Sequence, residues 1–196
     1  MERLTDPETW DEPLFPTGIV ATGAHVSPST LHSWFRRGKA SLQAKDVPAG
    51  GNGLPHKFSF RSALTIGCMA ELVRLGEEPA TAFAAAFDFA NVTDPLEGAP
   101  RIPAGLFADP LQTFLVTWPH ESGQPYRVVA IGNGPGGLAI PAELIVGRGS
   151  GGARLVWLNW VDFHMRGMCE AYLRDEHAPK TFADLKAGLG AGPEVG

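Results

Sequence analysis

Cysteine is scarce: Cys68 and Cys169 are the only two in 196 residues. Each lies inside an apolar pattern of helical spacing, so neither a disulfide framework nor a thiolate zinc site is supported, and both are expected to be packed thiols. No run of about 18 apolar residues is present, which excludes a membrane-spanning helix of the usual kind. The opening MERLTDPETWDEP is acidic and lacks the apolar segment of a secretory signal, so a cytoplasmic protein is expected.

Catalytic patterns are also missing. There is no recognisable Ser/His/Asp order and no framed pair of carboxylates, so no catalytic residue and no enzyme activity are expected. His164, Cys169 and His177 fall on different faces of one helical pattern with no second cluster, and no metal is expected there. The run GNGPGG, residues 132–137, satisfies a dinucleotide-binding spacing after a strand-like stretch. No helix signal follows it, Pro141 interrupts the next segment, and the acidic residue needed about twenty positions on is replaced by Trp157 and Trp160. The run reads as a turn, and no cofactor is expected.

What is present is a chain with 44% hydrophobic residues, the share of a packed globular protein. Its 24 glycines and 17 prolines gather in a few places, as loops between two small units do. The net charge of −5 is unevenly spread: residues 13–75 hold seven Lys/Arg against two acids, whereas residues 76–196 hold eight against fourteen. A basic module that binds anions, joined to an acidic one, is the natural reading.

Residues 1–13 are polar, acidic and expected to be disordered. A short helix is predicted over about 17–22, stopping near Gly23, and a second from Pro28 with Ser27 as its N-cap. In that second helix Leu31, Trp34 and Phe35 share a packing face, leaving Ser29, His32, Ser33, Arg36 and Arg37 on the rest. A loop containing Gly50, Gly51 and Gly53 returns through the strand-prone HKFSF. Ser59 then caps a long, nearly all-apolar helix ending at Gly76, and a further helix runs from Pro79 to about Asn91.

Helix, turn, helix, glycine-broken loop, short strand and long helix make a winged helix–turn–helix. The segments GIVA (Gly18 to Ala21), VSPSTL (Val26 to Leu31), Trp34, RRG (Arg36 to Gly38), HKFSF (His56 to Phe60) and ELVRLG (Glu71 to Gly76) fall in one order. In that order they resemble the DNA-binding domain of the MerR family of bacterial transcription regulators, over roughly residues 14–90. The resemblance implies that the second helix enters the major groove while the wing reaches the neighbouring backbone or minor groove. Ser29, Thr30, His32, Ser33, Arg36, Arg37, Lys39, His56, Lys57 and Arg61 are the DNA-binding candidates, with Lys57 and Arg61 as phosphate binders. His32 and Ser33 stand where many members carry arginine and tyrosine, and the long dimerisation helix of full regulators is missing.

Four prolines make residues 92–110 a linker by pattern. Beyond it TFLVTW, YRVVAI, LAIPAELIV and RLVWLNWV are strand-like runs with short loops, which favours an antiparallel sheet, and a helix follows from about Asp162. The expected fold is α+β: a winged helix–turn–helix over 14–91, a linker over 92–110, a small α+β dimerisation or effector domain over 111–178, and a flexible tail over 179–196. Phe114, Trp118, Tyr126, Trp157 and Trp160 are expected to serve core and dimer packing, with a small-molecule effector pocket as the sharper alternative.

The function expected is sequence-specific binding of double-stranded DNA by a homodimeric transcription regulator, associated with the nucleoid. Two alternatives stand beside it. One is a phage or mobile-element DNA-binding protein of the small-terminase or excisionase kind, and the other a chain dominated by an effector-binding or enzymatic C-terminal part.

Overall fold

The computed structural model describes residues 3–49, 56–92, 101–118, 126–134, 137–138 and 152–174. Helices and small antiparallel sheets make it an α+β protein. The chain divides into two compact units, Met1–Ala63 with His164–Gly196, and Leu64–Phe163. The boundaries fall inside two helices rather than in the proline-rich stretch 92–110, because the last helix supplies packing side chains to the N-terminal unit. None of the described helices is long and apolar enough to cross a membrane.

The first unit starts with order where disorder was expected. Two 3₁₀ turns, Arg3–Thr5 and Pro7–Asp11, bury Leu4 and Trp10. The Trp10 indole N–H donates to the Leu4 carbonyl at 2.8 Å, and the Leu4 N–H donates to Glu170 Oε1 at 2.9 Å. The Arg166 guanidinium also donates to the Leu4 carbonyl and lies over the rings of Trp10 and Phe60, 5.4 and 4.8 Å from their centroids. An acidic, polar composition hides this anchoring because its partners lie more than 150 positions away.

Strand β1 (Phe15–Pro16) leads into helix α1 (Thr17–Gly23), a turn, and helix α2 (Pro28–Arg36). The turn is a Schellman motif: Val26 N–H reaches Ala21 O, His25 N–H reaches Thr22 O, and His25 takes the left-handed backbone with φ 54°. Gly23 therefore does not provide the positive φ. Its lack of a side chain serves packing, since a Cβ there would stand 2.8 Å from Met165 Sδ. Ser27 caps α2, accepting the Thr30 N–H at 3.0 Å, and Gly38 closes it with φ 65°. After an extended loop, Val47 bridges Lys57 in antiparallel fashion, and β2 (Lys57–Phe58) pairs with β1.

Helix α3 (Phe60–Arg74) begins where Ser59 accepts the Ser62 N–H and ends at Gly76, whose φ is 88°. In the second unit it leads to helix α4 (Pro79–Asn91), which packs on strands β3 (Leu111–Thr117) and β4 (Tyr126–Gly134). With β5 (Gly137–Leu138) and β6 (Arg154–Trp157) these strands form an antiparallel sheet ordered β5-β4-β3-β6. Phe114, Val116, Trp118, Val129 and Ile131 make its buried cluster. The GNGPGG run thus joins two antiparallel paired strands, which is not the strand-to-helix context of dinucleotide binding.

Part of the expected linker is built into this unit. The buried Arg101 guanidinium donates to the carbonyls of Phe89 (2.8 Å), Val92 (2.9 Å), Ile102 (3.2 Å) and Gly105 (3.4 Å), capping the C-terminal end of α4. Residues 93–100, the segment 139–151 that contains most of the expected third strand, and the tail after residue 174 lie outside the described residues. Helix α5 (Leu158–Arg174) starts four residues earlier than Asp162 because β6 passes directly into it. Met165, Met168 and Cys169 are buried along it, as is Cys68 in α3. Burial pushes the Cys68 thiol far above its ordinary range, with the charge of Glu71 adding to the effect.

Candidate nucleic-acid interface

Helix α2 is amphipathic for a simple reason. Leu31 and Trp34 are spaced to face the core and are buried, so Ser29, His32, Arg36 and Arg37 are forced outward and exposed. Phe35, placed by its spacing on the packing face, is half-buried instead. It lies on the flank, where its ring stacks on Phe58 with centroids 5.7 Å apart and meets His56 at 5.9 Å.

His56 enters this cluster from the strand side. Its ring lies 6.0 Å from His32 and 6.0 Å from Phe58, and its Nδ1 accepts the Ala49 N–H at 3.0 Å. Burial and then the neighbouring His32 hold the His56 imidazole below its usual range, and Asp46 opposes them without reversing the shift. Ser29, His32, Ser33, Phe35, Arg36 and His56 line one open depression of about 620 Å³. His56, just before β2, and five residues of α2 that lie 20 or more positions away in sequence are thereby gathered on one surface.

The other candidates are distributed differently. Thr30 is part of the cap, its hydroxyl 2.8 Å from that of Ser27. Lys39 is half-buried beyond the helix end. Lys57 and Arg37 are exposed, and with Arg36 they make no ion pair among the described residues. Arg61 is committed elsewhere: its Nε donates to Asp11 Oδ1 at 2.9 Å, and Lys45 Nζ stands 3.3 Å from the other carboxylate oxygen. Burial pushes the Asp11 carboxyl up, but hydrogen bonds and charge from Arg61 and Lys45 outweigh it and hold the group below its ordinary value. Two of the seven basic residues counted in 13–75 are therefore matched by an acid just outside that window.

Two residues that shape the site carried no sequence signal. Asp46 accepts from Gln43 N–H (2.9 Å), Ser59 N–H (2.9 Å) and the Ser62 hydroxyl (2.8 Å), tying the loop before β2 to the start of α3. Asp11 plays the matching part for Arg61 and Lys45. Asp46 reaches Ser59 and Ser62 over 13 and 16 positions, and Asp11 reaches Lys45 and Arg61 over 34 and 50, so no periodicity announces these contacts.

Among the described residues no three His, Cys, Asp or Glu side chains converge as metal ligands. His164 meets His25 edge to face at 5.1 Å, Cys169 is buried, and His177 lies outside the described residues. Trp157, Trp160 and Phe163 are 44%, 48% and 69% exposed, with rings stacked in sequence at 6.4 and 6.3 Å, whereas Phe114 and Trp118 are core. Compared with protein-family models the chain gives no match, and compared with curated proteins it gives none.

Proposed function

We propose that the chain binds double-stranded DNA through α2 and the segment leading into β2, as a transcription regulator whose N-terminal part resembles the winged helix–turn–helix of the MerR family. The observation that carries the reading is the depression on α2, where hydroxyls, two imidazoles and Arg36 share one surface while Arg36, Arg37 and Lys57 make no ion pair among the described residues. A solvated basic helix end would explain Arg36 and Arg37 alone, since the helix dipole favours cations there. It does not explain why His56 is brought from another segment to the same place.

Phosphate contacts release counterions, so each one adds to the salt dependence of binding. Neutralising Arg36, Arg37 or Lys57 as glutamine should weaken duplex binding and lower the slope of log affinity against log salt by about one each. Retention of full affinity in all three variants refutes the assignment. A homodimer is the assembly this reading calls for, and the stacked, exposed Trp157, Trp160 and Phe163 favour it as apolar surface that a second copy would cover.

A further inference from the structure

The Ala49 N–H donates to His56 Nδ1. A ring nitrogen that accepts a hydrogen bond carries no proton, so the neutral imidazole bears its hydrogen on Nε2 and is a donor there. Phe35, Phe58 and His32 surround the ring at centroid distances of 5.9, 6.0 and 6.0 Å, which fixes its plane as the backbone contact fixes its tautomer. Such a preset donor costs little further ordering when a ligand arrives.

The rest of the 620 Å³ depression is chemically consistent with that donor. Ser29 and Ser33 bring hydroxyls, His32 a second imidazole and Arg36 a guanidinium, and no carboxylate is among its described lining residues. Among the described residues the charged or titratable groups around His56 are His32 and Arg36 from α2, Asp46 from the preceding loop and the adjacent Lys57, while the sequence of residues 50–55 contains none. Asp46 already accepts from two backbone N–H groups and the Ser62 hydroxyl, which hold its carboxylate on the loop and the start of α3.

We propose that this depression is an oxyanion site that seats one phosphate group, with Arg36 supplying the charge and His56 Nε2–H, Ser29 and Ser33 the hydrogen bonds. It rests on the DNA reading for the source of the phosphate, a duplex backbone, although a free phosphate ester offers the same chemistry. His56 acts as a neutral donor held by Ala49, so binding requires no protonation of this ring.

The test uses the full chain and two probes: a mixed-sequence duplex of about 20 bp, two helical turns, and inorganic phosphate followed through the His56 ring-nitrogen resonances. Asparagine places an oxygen near the Nδ1 position and nothing at Nε2, so His56→Asn keeps the Ala49 contact while removing the donor. The expected result is a loss of about tenfold in duplex affinity for His56→Asn and for Arg36→Gln, with hydrogen exchange at the Ala49 amide unchanged in His56→Asn. Duplex binding that is salt-dependent yet equal in wild type and both variants overturns the oxyanion site and leaves the DNA reading standing. Phosphate shifting the His56 resonances while no duplex binds at low salt upholds the site and sinks the DNA reading. No response to either probe overturns both.

Discussion

His56 joins α2 to the loop before β2, through ring contacts on one side and the Ala49 hydrogen bond on the other. Protonating Nδ1 would set one donor against another, and burial together with the nearby His32 already disfavours the cation. Because the folded-state value lies below the ordinary one, the fold favours the neutral ring. The stability this confers is complete above about pH 6.5 and is lost as pH falls towards and through the folded value. Urea midpoints measured from pH 8 to pH 5 should therefore fall more steeply for wild type than for His56→Asn; parallel curves would contradict the role. Asp46 is the other decisive residue at this scale. Its replacement by alanine leaves three donors without their acceptor and should cost about 2–3 kcal/mol, read as a lower unfolding midpoint with the denaturant slope unchanged.

The elements themselves were legible wherever their signals are local. Ser27 with Pro28, Ser59, Gly76 and Pro79 mark helix ends within one turn of chain, and α2, α3 and α4 begin or stop at those marks. The N-terminal turns were not legible, because nothing within MERLTDPETW announces Glu170 and Arg166 as partners. Nor was the ordered stretch around Arg101, whose prolines suggest a linker while its guanidinium caps α4. Gly23 shows the same limit from the other side: its position near a helix end was readable, but its reason, the approach of Met165, was not. Because the N-terminal turns are part of the fold, Trp10→Ala should cost about 3–5 kcal/mol, since the indole is buried against Phe60 and Arg166. A loss under about 0.5 kcal/mol, the range of ordinary surface changes, would show that these turns are not anchored.

At the scale of the whole molecule, the chain's charge reversal near residue 75 was readable from composition, whereas the return of the last helix to the N-terminal unit was not. Composition sees the proline-rich stretch; it cannot see that the second half of α5 packs with residues from the first sixty. The same holds for the candidate site. Ser29, His32, Ser33 and Arg36 follow from helical spacing and His56 from the strand-like HKFSF, but their meeting in one depression depends on the loop that Asp46 and Ala49 hold in place. Arg61 was readable as a cation and not as the partner of Asp11.

The proposed binding of duplex DNA phosphates by α2 and the segment leading into β2 is read in the affinity of the full chain for a duplex across a salt series. Log affinity should fall linearly with log salt, with a slope that becomes shallower by about one in Arg36→Gln and again in Lys57→Gln. An affinity absent at low salt, or a slope identical in wild type and both variants, would contradict it.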